Sequence, residues 1–241
     1  MLQKHTIERP VWEILTALQK EPLFDHYFLV GGTALSLQIG HRMSEDIDLF
    51  TQDDLDKESI LYHMKKNYDN VRISNSQNSI LQLEANSVKI DFVSYPYDFL
   101  EPPVHEEQIR FLGKKDISAM KLSAIATSGT RAKDFVDVYY LLKEIPLEAM
   151  LNYYKLKYNQ DDAFHVRKSL AYFGDVDDQS WKNIRMVKDR LSVATVKAAL
   201  TKEVNNLSSK STIHVTRSDM LPKHGNGPER KKQGRHDGYG R

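Results

Sequence analysis

The residues whose types and spacing suit chemistry best are Asp46 and Asp48 in the segment SEDIDLF. The alternation of DIDLF predicts a strand over Asp46 to Phe50, and residues two apart on a strand project from one face. Two carboxylates side by side are hard oxygen ligands. They suit Mg²⁺ (or Mn²⁺), and Mg²⁺ uses one or two carboxylates and fills its shell with substrate phosphates. Ile47 and Leu49 face the other way and anchor the strand. A third carboxylate is expected from a neighbouring strand, and Asp91 in VKIDFV fits. It shares a face with Lys89 and Val93, whereas Ile90 and Phe92 take the opposite face. An acid inside so apolar a strand costs free energy unless it is paired or metal-bound. In a two-metal site the third carboxylate serves as ligand or as base for an attacking hydroxyl. Asp-x-Asp pairs also arise by chance in strand ends and turns, so the metal reading rests on all three acids and on what precedes them.

What precedes them is FLVGGTALSLQIGHRM. Tyr27 to Val30 reads as a strand that ends at a Gly31–Gly32 turn, and Thr33 to Ile39 as a short helix. Glycines without a Cβ let a triphosphate approach the backbone, and a helix N-terminus favours phosphate. In the loop that follows, His41 and Arg42 are either triphosphate contacts or solvated loop residues. His41 is read as solvated; Arg42 stays open between the two.

The second chemically pointed segment is DISAMKLSAIATSGTRAKDFVDVYYLL. Helical spacing puts Lys121 at the border of a buried face, either snorkelling to solvent or reaching a nucleotide phosphate. On the next helix Asp134 and Asp137 stand at i and i+3. Like charges there repel unless a cation lies between them, which Lys121, Arg131 or Lys133 could supply. Asp137 is read either as a structural ion pair or as a site residue. Asp134 is assigned to the site, orienting Lys121.

These residues need a scaffold. Helices are predicted over Pro10 to Lys20, Leu55 to Asn67, Lys115 or Asp116 to Thr127, and Arg131 to Lys143. Strands are predicted over Val71 to Ser74, Ile80 to Glu84 and Val88 to Val93, with Asn86–Ser87 as a hairpin turn. Further helical patterns span Leu147 to Tyr158, Asp162 to Phe173, Ser180 to Arg190 and Val193 to Leu207. The expected architecture is α+β: a mixed-sheet domain over 1–113, a helical domain over 114–207 and a disordered basic tail over 208–241. The 34 basic residues nearly balance the 33 acidic ones, so net charge argues neither for nor against a nucleic-acid partner. The chain has no cysteine, which excludes disulfides, thiolate zinc sites and cysteine nucleophiles. No apolar run approaches a membrane span and the N-terminus lacks a signal pattern, so a cytoplasmic protein is expected.

Taken together, FLVGGTALSLQIGHRMSEDIDLF, VKIDFV and the Lys121–Asp134 segment resemble the AbiEii/AbiGii toxin family of nucleotidyltransferases. The resemblance implies a DNA-polymerase-β-like domain followed by a helical domain, with the site between them. It implies that Gly32, Thr33, Asp46 and Asp48 match a first motif, Asp91 a second, Lys121 a third, and Asp134 or Asp137 a fourth. Gly31, Gly32, Thr33 and Arg42 would then bind a nucleoside triphosphate, with Gly32 and Thr33 on its β and γ phosphates. The wider superfamily has Gly-Ser where this chain has Gly32–Thr33. The implied acceptor is the 3′ end of a tRNA or a protein, and the implied partner a cognate antitoxin. Rival readings are a small-molecule nucleotidyltransferase, a nucleotide-binding partner without catalysis, and an RNA-binding role for the basic tail.

Overall fold

The computed structural model of the chain describes residues 1–218, with side chains through Ser209. The sheet is built where apolar and polar residues alternate. Strands β1 (Phe28–Leu29), β2 (Ile47–Thr51), β3 (Arg72–Gln77), β4 (Ile80–Ala85), β5 (Val88–Ser94), β6 (Val104–Glu106) and β7 (Ile109–Phe111) form one mixed sheet in the order β3-β4-β5-β2-β1-β7-β6. Pairs β2–β5 and β1–β7 are parallel and the remaining pairs antiparallel. The β4–β5 hairpin turns at Asn86 and Ser87, both with positive φ, as expected for a tight primed turn.

Helices α1 (Arg9–Leu18), α2 (Gly31–Ile39), α3 (Lys57–Asn67), α4 (Lys114–Thr127), α5 (Ala132–Leu141), α6 (Leu147–Tyr158), α7 (Phe164–Leu170), α8 (Asp178–Lys182) and α9 (Val193–Ser218) complete the described chain. One sheet face is apolar: Leu81, Leu83, Ile47, Leu49, Ile90 and Phe92 are fully buried. Phe92 stacks on Phe24 at 5.4 Å, and Ile60 and Met64 of α3 close this layer. The opposite face carries the half-buried residues of the same strands and faces α4.

Several elements depart from expectation. The first helix of the glycine segment begins at Gly31, not Thr33, so both glycines lie inside its first turn. The β6–β7 hairpin was not anticipated. Its strands are three residues each, and Glu107 and Gln108 adopt positive φ without a glycine to signal the turn. The helix expected over Ser180 to Arg190 shrinks to α8, because the next residues pair with the loop after α2. Arg42 bridges Met186, and Met43 N–H donates to the Arg185 carbonyl. α9 continues past the expected boundary at residue 208 to Ser218, since extending a helix is easier than nucleating one. The remainder of the basic tail, 219–241, lies outside the described residues. Among the described residues no helix is long and apolar enough to cross a membrane.

Candidate active site

Parallel pairing of β2 with β5 sets Asp48 directly opposite Asp91, and antiparallel pairing of β4 sets Gln82 opposite Asp91. Gln82 Nε2 donates to Asp91 Oδ2 at 2.6 Å, while Asp91 Oδ1 is buried without a partner. Asp46 lies at the head of the same face and receives Lys133 Nζ on Oδ2 at 2.9 Å. Burial alone would push the Asp46 carboxyl up, but Lys133 outweighs it and holds the group below its ordinary value. Asp48 has no such relief. Burial first, then the nearby Asp91 and Asp46, push it up to about 6, with Lys121 opposing.

Helix α2 aims its N-terminus at this group. Val30 N–H donates to the Asp48 carbonyl at 2.9 Å, and no side chain caps the helix, which leaves first-turn amides for an anion. Gly31 has φ of 68°, and a Cβ there would overlap Asp48 Oδ2. A Cβ at Gly32 would overlap Arg42 Nη2. Replacing Gly31 with alanine is therefore expected to lower the stability of the ligand-free protein by about 1–3 kcal/mol, from left-handed strain and the carboxylate clash. Urea denaturation reads this directly. An unchanged midpoint would mean that the residue does not hold this conformation.

Two expectations are corrected here. Thr33 is fully buried, and its hydroxyl donates to the Asp46 carbonyl. It stands 2.9 Å from Ser44 Oγ. The side chain therefore fixes the strand that carries Asp46, and the hydroxyl is not turned to the cleft. His41 is not solvated either: it is fully buried with Nε2 2.7 Å from Asp137 Oδ1. Burial lowers its pKa despite Asp137, so the ring is neutral and donates to the carboxylate.

Arg42 is buried and grips Asp137 side-on through one guanidinium edge, Nε to Oδ1 at 2.7 Å and Nη2 to Oδ2 at 2.8 Å. Lys121 reaches Asp134 Oδ1 at 2.7 Å and Asp137 Oδ2 at 2.6 Å, and these carboxylates outweigh burial and raise its pKa. It does not snorkel; its ammonium sits between α4 and α5 at the cleft wall. Arg131 Nε holds Asp134 Oδ2 at 2.9 Å.

The cleft encloses about 730 Å³, within the range for a nucleotide-sized ligand. Gly31, Gly32, Asp46, Asp48, Asp91, Lys121 and Asp134 all line it; Thr33, Arg42 and Asp137 stand behind its wall. Among the described residues no three carboxylate or imidazole groups are clustered tightly enough to hold an ion as they stand; Asp46 is turned to Lys133. The donor chemistry nonetheless fits a divalent cation, because Asp48 and Asp91 repel one another and Asp91 Oδ1 lacks a partner. Gln82 escaped the sequence reading, and Lys133, considered there as a cation for Asp134 and Asp137, pairs with Asp46 instead. Gln82 was available in principle, because a turn at Asn86–Ser87 sets it opposite Asp91; Lys133 reaches Asp46 only through the tertiary fold.

Comparisons with known proteins speak to the family and the fold. The family model for the nucleotidyl transferase AbiEii toxin of type IV toxin–antitoxin systems matches residues 13–209. An uncharacterised protein of Aquifex aeolicus (strain VF5) is 34% identical over 164 residues, covering 66% of this chain and 79% of that protein. Among solved structures, JHP933 from Helicobacter pylori aligns with a TM-score of 0.54 at 16% identity, over 89% of this chain and 100% of that one. MenT4, a nucleotidyltransferase toxin from Mycobacterium tuberculosis, aligns at 0.50 and 13% identity, over 82% and 84% respectively. At these identities the structural likeness speaks to the fold.

Proposed function

Because the chain belongs to the AbiEii family of nucleotidyl transferase toxins, we propose that its cleft moves a nucleotide from a nucleoside triphosphate to an acceptor hydroxyl, with Asp46, Asp48 and Asp91 as the reacting centre. The observation that carries this reading is the register that sets Asp48 against Asp91 beneath the α2 N-terminus. The acceptor oxygen attacks the α-phosphorus in line, the bond to the bridging oxygen of the β-phosphate breaks, and pyrophosphate leaves. Asp91 accepts the proton of the attacking hydroxyl. The first-turn amides of Gly31, Gly32 and Thr33 receive the β and γ phosphates. Lys121 offsets charge developing on the phosphates, while Asp134 fixes its ammonium. Arg42 and Asp137 act from behind by holding Lys121 and the glycine turn. A divalent ion, Mg²⁺ or Mn²⁺, held by Asp46, Asp48 and Asp91 would neutralise phosphate charge there; Asp46 must release Lys133 to join. Such catalysis is mainly positioning and charge stabilisation.

The acceptor is a tRNA 3′ end or a protein, and the family's toxin–antitoxin character implies a cognate antitoxin that keeps the activity in check. Incubating the protein with Mg²⁺, each α-labelled nucleoside triphosphate, and total cellular RNA and protein is expected to move label onto one fraction and release pyrophosphate. Asp91→Ala should leave both fractions unlabelled. If the folded wild-type protein released no pyrophosphate with any nucleotide and moved no label, the catalytic reading would fail.

A further inference from the structure

The same cleft face changes character along its length. Two residues beyond the Asp48–Asp91–Gln82 rung, the register sets Phe50 beside Val93 and Val93 beside Ile80. This second rung lies about 7 Å further along the strands. It is apolar and half-buried, and it lines the cleft with the carboxylates. Beyond it the chain leaves β5 through Tyr95 and Tyr97. The rings of Phe50 and Tyr95 are 5.1 Å apart, those of Tyr95 and Tyr97 4.7 Å, and those of Tyr97 and Tyr158 5.0 Å. Met120 and Ala124 of α4 form the facing wall.

This aromatic rim is held in place from beneath. Lys157 and Asp116 are fully buried and paired at 2.7 Å. Lys157 Nζ also donates to the Asp98 carbonyl at 3.0 Å, and Asp116 accepts from Leu100 N–H at 3.1 Å. The segment carrying Tyr95 and Tyr97 is thereby tied to α4 and α6. The hydroxyls of Tyr95 and Tyr158 bond to each other, which satisfies their polar ends. Tyr97 remains 39% exposed at the cleft. A pre-ordered aromatic surface loses little entropy when a flat ring settles on it.

We propose that this end of the cleft is the nucleobase subsite, where the base of the incoming nucleoside triphosphate stacks on Tyr97 above the Phe50–Val93–Ile80 floor. One ribose then spans the distance back to the phosphorus at Asp48 and Asp91. The assignment rests on the carboxylate end handling the triphosphate. It needs no acceptor, so it is tested by binding alone. The full chain is titrated calorimetrically, in Mg²⁺, with each of ATP, CTP, GTP and UTP and separately with inorganic tripolyphosphate. At least one nucleotide is expected to bind more tightly than tripolyphosphate. Tyr97→Ala is expected to weaken that nucleotide roughly tenfold or more and leave tripolyphosphate unchanged, whereas Tyr97→Phe retains wild-type affinity. Unchanged nucleotide affinity in Tyr97→Ala overturns the subsite. So does an equal loss for tripolyphosphate, which would mark a general defect. If nucleotide affinity held while the acceptor KM rose, the shelf would belong to the acceptor and the assignment would likewise fail. Tyrosine variants that bind nucleotide poorly beside a wild type that binds but transfers nothing would instead spare the subsite and sink the catalytic reading.

Discussion

Asp48→Asn is expected to abolish nucleotide transfer and at the same time to raise the melting temperature of the ligand-free protein above pH 6. Both effects have one origin. Burial, with Asp91 and Asp46 nearby, pushes the Asp48 carboxyl up to about 6. In the unfolded chain the same group titrates near 3.9. Below that value both states are protonated and the group costs folding nothing. Between roughly pH 4 and 6 the unfolded chain ionises more readily, and above about 6 the penalty is complete. Two units correspond to nearly 3 kcal/mol; the half-buried position at the cleft face reduces this to about 1–2 kcal/mol. For a chain of this size that is roughly 2–8 °C, visible by calorimetry at pH 8 and absent at pH 4. Transfer should fall on the order of 10³-fold or more, equivalent to about 4 kcal/mol of transition-state stabilisation. The variant should also lose the stabilisation that Mg²⁺ with nucleotide gives the wild type. A variant no more stable than wild type at pH 8 would mean that Asp48 is not under charge stress, and normal transfer would remove it from the mechanism.

Such stress is what carboxylates converging on one sheet face should show, and its carriers were legible early. The alternation in DIDLF and VKIDFV told which face each acid takes, because strand geometry depends on a period of two and little else. The parallel pairing of their strands was not legible, since nothing local distinguishes it from antiparallel pairing. The same limit explains the other misses. His41 and Arg42 look like loop residues, yet three segments close around them: the loop itself, α5, and the stretch near Met186 that abandons its helical pattern to pair with Arg42. Tertiary contact overrode local propensity there. Thr33 looked like a phosphate ligand because its position is right; only the fold shows that its hydroxyl is spent on the Asp46 carbonyl. The β6–β7 hairpin was hidden because three-residue strands carry too few residues to display a period.

Removing Asp137 is expected to be the most damaging single change behind the cleft. Its carboxylate is fully buried and receives Arg42 on both oxygens, His41 on Oδ1 and Lys121 on Oδ2. Burial opposes its ionisation, but Arg42 and Lys121 overcome this and hold the group well below the usual carboxylate range. Asp137→Ala strands a guanidinium that is 3% exposed and leaves Lys121 with Asp134 alone. Breaking a buried pair on one side costs about 3–5 kcal/mol, or roughly 6–20 °C in melting temperature for a chain of this length. A carboxyl with a depressed folded pKa stabilises above its unfolded value and loses that contribution as pH falls toward the folded one. The gap between wild type and Asp137→Ala should therefore be full at pH 7 and begin to narrow only below about pH 4. Asp134→Ala makes the useful contrast. Its partner Arg131 is largely solvated and Asp137 still holds Lys121, so the stability loss should be smaller and the effect should fall on nucleotide affinity. If both variants lost equal stability, with no difference in nucleotide binding, the network would be one structural ion cluster. Asp134 would then have no separate hold on the lysine that faces the cleft.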